Sequence, residues 1–300
     1  MQDDYHFAGK RVAVITGSGS GIGKATAIEF AKAGYYVMIN DLEEEQKLDS
    51  TRKEISKIVG DNQNSRIDYV LGDTSEEKIS KSLMAQTIEK FGRIDVLINN
   101  AEIADKASAK NVNEISNTVT NSSYKQVSPY FTLEEYERSD TNLRGVYLCI
   151  REAAKQILRL KEQRKSYSII NITSPYESIP KLESDAYTSS MSGVDPFTSS
   201  RASLKALTKT VALQLAQKRI RVNAIVPGIV NSDPLSKSTT KRKLMKVPFN
   251  RIGEPNEIGK IALFLASDEA SYITGSVIYA DGGISLPHSN YFLESQIEQD

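Results

Sequence analysis

The 300-residue chain lies within the range that one large α/β domain can fill, and its 38 basic and 38 acidic residues cancel. That balance excludes a global field drawing it onto nucleic acid or an anionic membrane. The only cysteine, Cys149, rules out an intrachain disulfide and leaves a thiolate metal cluster short of ligands; it sits in the apolar run 146–150, reads as core packing, and no metal site is expected.

At the N-terminus, MQDDYHFAGK carries acids where a secretion signal carries bases, and no apolar stretch approaches the roughly 20 residues that cross a bilayer, so a cytoplasmic protein is expected. Short β-rich runs then alternate with amphipathic stretches: Arg11 to Ile15, Tyr36 to Asn40, Asp68 to Gly72, Asp95 to Asn99, Ser168 to Ile172, Arg221 to Val226 and Val277 to Ala280. That rhythm predicts an α/β fold, one domain with a doubly wound parallel sheet and crossover helices. After the first run, Ile22, Thr26 and Phe30 recur at every fourth residue beside Ala27 and Ala31, and Gly34 offers a left-handed stop, which predicts a helix packed on the sheet. The domain is expected to span 1–286, with polar insertions near 103–130 and 175–195 and a tail at 287–300. The Asn-x-Ser/Thr triplets at Asn121 and Asn171 read as chance, Asn171 because it falls on a core strand.

The run Thr16-Gly17-Ser18-Gly19-Ser20-Gly21-Ile22-Gly23 joins the first strand to that helix. Glycines there let the backbone approach a pyrophosphate, and the helix start supplies free N–H groups and a positive dipole end. Asp41 ends the next strand about 20 residues on, where a carboxylate accepts hydrogen bonds from a ribose diol and repels a ribose 2′-phosphate. The expected cofactor is therefore NAD in preference to NADP. Two bland readings stand beside this one: a ligand-free glycine turn, and an Asp41 that only caps the loop after it.

Further motifs carry a resemblance. The spacing Thr-Gly-x-x-x-Gly-x-Gly, Leu71-Gly72-Asp73, Asn99-Asn100-Ala101, Asn142-Leu143-Arg144-Gly145, Asn171-Ile172-Thr173-Ser174, Ile220-Arg221-Val222-Asn223, Pro227-Gly228, Arg251 to Pro255, Tyr272 to Gly275 and Asp281-Gly282-Gly283 together resemble the short-chain dehydrogenase/reductase family. Glu102 stands where that family has a glycine, and Ser232 where a threonine is usual. The loop Ser174 to Pro180 is similar to that of bacterial glucose 1-dehydrogenases. The resemblance implies a Rossmann-type domain and an oxidoreductase acting on a small-molecule alcohol, a sugar or other secondary alcohol, or on the matching carbonyl. It implies a homo-oligomer, dimer or tetramer, built through helices beginning near Thr132 and Pro196. It also places Gly17, Ser18, Ser20, Gly21, Ile22, Gly23, Asp41, Asp73, Asn99, Ala101, Pro227, Gly228 and Ser232 at the cofactor. Ser174 would orient the substrate oxygen, Tyr187 would exchange the proton, Asn142 would hold a relay water, and Arg201 would supply positive charge.

The last assignments meet a departure, because the Tyr-x-x-x-Lys pattern is missing. Tyr187 follows Ser174 by 13 residues, the family's usual separation, yet Met191 stands at the lysine position. Counting back from Asn223 instead puts Phe197 and Arg201 in register with tyrosine and lysine. Asp195 and Pro196 suit a helix cap and first turn, which favours the second register and leaves Tyr187 in the insertion. Two functions stay open: an active NAD(P)-dependent oxidoreductase, and a catalytically impaired homologue that binds the cofactor and acts as a binding or scaffold protein. Tyr187 also reads as an ordinary loop aromatic, and Ser174 and Asn142 as structural. The cluster Lys237, Lys241, Arg242, Lys243 and Lys246 fits either an anionic substrate group or a solvated face. His6 and His288 fall outside every motif, which leaves a serine–histidine hydrolase without support.

Overall fold

The computed structural model describes residues 11–42, 45–61, 65–101, 133–160, 166–174, 196–231 and 247–286; at 133–141, 196–199 and 201 it describes the backbone alone. Seven strands, β1 (Val12–Thr16), β2 (Tyr36–Asp41), β3 (Ile67–Leu71), β4 (Val96–Asn99), β5 (Tyr167–Ile172), β6 (Ile220–Pro227) and β7 (Val277–Ala280), correspond one to one with the runs expected from the sequence. They form one sheet in the order β3-β2-β1-β4-β5-β6-β7, every pair parallel. The chain reverses its winding between β1 and β4, which opens a crevice at their carboxyl ends.

The described helices are α1 (Gly21–Lys32), α2 (Glu45–Ile58), α3 (Glu77–Phe91), α4 (Leu133–Arg159), α5 (Pro196–Leu215) and α6 (Pro255–Ala266). Strands β1, β4, β5 and β6 are buried along their whole length, as a sheet covered on both faces requires. Alternation along β1 sends Val12 and Val14 toward α3, α4 and α5, where they meet Leu83, Ile150 and Val211. It sends Ala13 and Ile15 toward α1, α2 and α6, where they meet Phe30, Ile55 and Leu265. Gly34 adopts φ +90° just after α1, the left-handed stop its position predicts. Cys149 is 1% exposed within the first of these layers, and burial pushes its thiol up to about 12, so it is packing and not a nucleophile. Asn171 is fully buried, which removes its triplet from any glycosylation machinery.

Helix α6 is held at both ends by arginines. Arg221, at the start of β6, donates to the carbonyls of Leu265 (2.7 Å) and Ser267 (3.0 Å), closing the last turn. At the other end Glu257 reaches back to the N–H of Glu254 (2.8 Å) and receives Arg251 through two bonds of 2.8 and 2.7 Å. The Arg251 fork, followed by the Glu254 N–H, holds the Glu257 carboxyl down at about 2. A carboxyl depressed in the folded state contributes stability above its unfolded value near 4.5, and that contribution disappears as the pH falls through about 2. Both side chains are about half in water, so solvent screening keeps the pair's contribution small. Arg251→Ala is expected to lower the melting temperature slightly at pH 7, with the difference from wild type shrinking as pH is taken from about 5 toward 2. A difference that stayed constant over that window would show that the pair does not act through Glu257 ionisation.

Candidate functional site

The glycine-rich loop is shaped by contacts that leave no room for side chains. Thr16 ends β1, and Gly17 follows at φ +65° with its Cα so near the next loop that a Cβ would lie 2.7 Å from Ala101 Cα. A Cβ on Gly23 would overlap the Gly17 carbonyl oxygen and lie 2.6 Å from Asn100 Nδ2. Ser18 is turned inward, its N–H on the Asn40 carbonyl (2.9 Å) and its hydroxyl on the Ile15 carbonyl (2.7 Å). Ser20 is the extended N-cap of α1 without a side-chain cap bond, and the first turn holds no acid. The opening N–H groups of α1 therefore lie at a cradle that glycines keep open, with no acid in the helix's own first turn, an environment that fits a dinucleotide's pyrophosphate.

Three strand ends converge on this loop. Asp41, at the end of β2, accepts the Gly19 N–H at Oδ2 (2.7 Å) and the Leu42 N–H at Oδ1 (2.7 Å). Both of its oxygens are thus tied to main-chain N–H groups at the rim of the loop. The turn after β3 is tied to the same place, with the Gly72 N–H on the Asp41 carbonyl (2.9 Å) and Asp73 Oδ1 accepting the Ser75 N–H (2.8 Å). After β4, the N–H groups of Asn100 and Ala101 both donate to Thr16 Oγ1 (3.0 Å each), while Asn100 Nδ2 bonds the carbonyls of Thr16 (3.2 Å) and Gly17 (2.9 Å). Thr16 and Asn100 thus shape the loop, although sequence reasoning quoted them only as parts of motifs and gave them no role. The Asn99 side chain points into the sheet, onto Asn171.

The side expected to carry the acid/base chemistry is described in part. Ser174 lies two residues beyond β5, half-buried, and Asn142 is 7% exposed on α4. Helix α5 begins at Pro196, as the Asp195-Pro196 pair predicts, so Phe197 and Arg201 stand in its first two turns. Tyr187, Met191, Ser232, His6, His288 and the lysine-rich run at 237–246 lie outside the described residues. So do the Asn-rich segment from 103 and the tail from 287. Pro227 ends β6, and the Gly228 N–H bonds the Ala280 carbonyl (3.0 Å), where a Cβ would lie 2.6 Å from Asp281 Cα. Beyond these strand ends is a cavity of about 300 Å³ lined by Gly228, Ile229, Phe249, Ile258, Ile261 and Asp281 among others. Among the described residues no group of His, Cys, Asp and Glu is placed to hold a metal ion, and no helix is long and apolar enough to cross a membrane.

Comparison with known proteins agrees with this geometry. A family model described as enoyl-(acyl carrier protein) reductase matches residues 17–285. The chain is 33% identical over 281 residues to the 3-oxoacyl-(acyl-carrier-protein) reductase FabG of Thermotoga maritima, covering 92% of this chain and 98% of that protein. It is 30% identical over 281 residues to glucose 1-dehydrogenase 2 of Bacillus subtilis, covering 92% and 95%. A crystal structure of a short-chain type dehydrogenase/reductase from Mycobacterium marinum superposes with a TM-score of 0.72 at 28% identity, over 92% of this chain and 96% of that one. With sequence, sheet order and relatives in agreement, this chain belongs to the short-chain dehydrogenase/reductase family, an oxidoreductase on a single Rossmann-type domain.

Proposed function

We propose that this chain binds NAD in the loop after β1, in preference to NADP, and interconverts a small alcohol and its carbonyl. The observation that carries the reading is Asp41, whose carboxylate sits 2.7 Å from the Gly19 N–H at the rim of the glycine cradle. A carboxylate at the end of the second strand is placed to accept from a ribose diol, whereas a 2′-phosphate brought there meets a like charge. A nicotinamide held there would supply the hydride chemistry, its oxidised form as acceptor for alcohol oxidation and its reduced form as donor for carbonyl reduction. Ser174 then holds the substrate oxygen, and Tyr187 takes the hydroxyl proton in oxidation or gives it in reduction. An ordinary phenol titrates near 10, so work near neutral pH requires positive charge beside it, the part assigned to Arg201. Asn142 supports the water through which the proton leaves. Arg201 holds charge but does not relay protons, which makes the reaction slower than one run by a lysine. The chain associates as a dimer or tetramer; exposed Tyr147 and Leu158 on α4 and Leu213 on α5 support contacts through those helices.

A second reading, a cofactor-binding homologue with little or no turnover, is supported by one observation: α5 starts at Pro196 with Phe197 and Arg201 in its first two turns, in keeping with the register that aligns them with the tyrosine and lysine. Steady-state turnover across a panel of sugars and secondary alcohols separates the two. The active reading predicts NAD-dependent turnover that falls about 10²- to 10⁴-fold in Ser174→Ala and in Tyr187→Phe. Turnover surviving Tyr187→Phe would refute the tyrosine assignment, and NADH binding without turnover would leave the silent homologue.

A further inference from the structure

A polar path crosses the interior of this sheet. Asn99 Nδ2, at the end of β4, donates to Asn171 Oδ1 on β5 (2.8 Å). Asn171 Nδ2 donates to Thr208 Oγ1 on α5 (2.9 Å), and the Thr208 hydroxyl donates to the Leu204 carbonyl one turn back (2.8 Å). Asn99 is 2% exposed, and Asn171 and Thr208 are fully buried. The polarity follows from the last member. A hydroxyl has one proton, Thr208 spends it on Leu204, and so it must accept from Asn171, whose oxygen then faces the Asn99 amide. Flipping either amide would set two acceptors against each other.

The path begins beside the cofactor loop and ends in the helix that bears Arg201. Asn99 and Asn171 are register partners across β4 and β5. The next residue, Asn100, bonds the carbonyls of Thr16 and Gly17, and it packs so closely on α1 that Gly23 has no space for a Cβ. At the far end Thr208 lies on α5 seven residues after Arg201, about two turns. Hydrocarbon side chains alone would let α5 slide or rotate on the strands; directional buried hydrogen bonds specify one height and one rotation.

We infer that Asn171 and Thr208 are positioning residues that fix α5 against the strand ends holding the cofactor, so that cofactor binding and the placement of the Arg201 turn are coupled. The inference rests on the proposed function for its catalytic consequence, while the coupling itself requires only that NADH bind. Thr208→Val is nearly isosteric but removes both the acceptor and the donor; Thr208→Ala removes them with a gain in helix propensity; Thr208→Ser keeps them.

Hydrogen exchange of the α5 amides, with and without saturating NADH, tests the coupling in the full chain. In wild type and Thr208→Ser, NADH is expected to slow exchange across α5 by about fivefold or more. In Thr208→Val and Thr208→Ala the slowing is expected to vanish, although both bind NADH within about threefold of wild type. On a substrate that turns over, the same two variants lose about tenfold in kcat with the KM for NAD unchanged within about twofold, and Thr208→Ser recovers. Normal NADH binding with α5 protection indifferent to the hydroxyl would overturn the inference alone. Absence of NADH binding to wild type would overturn it together with the cofactor reading. Thr208→Ala provides the same reading if Thr208→Val fails to fold.

Discussion

Gly23→Ala is expected to raise the dissociation constant for NADH by about 100-fold or more, the largest effect of any single methyl added to the cofactor loop. The added Cβ would fall on the Gly17 carbonyl oxygen, and both are backbone atoms that cannot swing aside. Relief requires α1 to back away from β1, which moves the N–H groups facing the cofactor and also disturbs Asn100, only 2.6 Å from the same point. Overpacking of this kind costs about 1–3 kcal/mol even where side chains can adapt, and here the obstruction is main chain. Gly19→Ala is the informative control. Its Cβ would lie 2.8 Å from Asp41 Oδ2, the end of a side chain that can rotate, so a loss of only about tenfold is expected. Isothermal titration of both variants beside their melting temperatures separates lost binding from lost folding. Equal losses in the two variants would mean that the closeness of α1 to β1 is not what shapes the site.

The second large effect concerns cofactor choice. Asp41→Asn is expected to weaken NADH by about tenfold and to strengthen NADPH, bringing the two affinities together. The charged carboxylate holds the Gly19 and Leu42 N–H groups through 2.7 Å bonds at the place a ribose diol would occupy. A charge-assisted hydrogen bond is worth roughly 1.5–3 kcal/mol, so replacing the carboxylate by an amide forfeits about a factor of ten or more toward NADH. Toward NADPH the sign reverses, because two like charges about 4 Å apart repel by about 1 kcal/mol in water and about 4 kcal/mol near a protein surface. Discrimination that survived the substitution would place the selectivity elsewhere.

The sheet and its crevice are legible in the sequence because a doubly covered parallel strand must be almost continuously apolar. Runs such as Val12 to Ile15 and Val96 to Ile98, each ended by polar or glycine residues, mark both the strands and the loops at their carboxyl ends. The start of α5 is legible for a local reason, since Pro196 fits a first turn and no interior position. What escapes a linear reading is the partner of each polar side chain. Asn171 and Thr208 are 37 residues apart and meet only after β5, β6 and α5 have packed. Thr16 looks like the last residue of a strand until its hydroxyl is seen accepting the two N–H groups that follow β4. Ser18, which the resemblance places at the cofactor, turns its hydroxyl onto the Ile15 carbonyl and is fully buried. Arg221 and Arg251 appear in the sequence as motif letters, yet one closes the end of α6 and the other braces its start. Such bonds depend on strand register and helix height, which no spacing rule encodes.

Equilibrium titration of the wild-type chain with NADH and with NADPH, followed by quenching or transfer of the dihydronicotinamide fluorescence, tests the cofactor reading most directly. NADH is expected to bind at least about fivefold more tightly than NADPH, the discrimination that about 1 kcal/mol of repulsion from the Asp41 charge imposes. NADPH binding as tightly as NADH, or neither cofactor binding, would contradict the assignment of Asp41 and the glycine cradle to NAD.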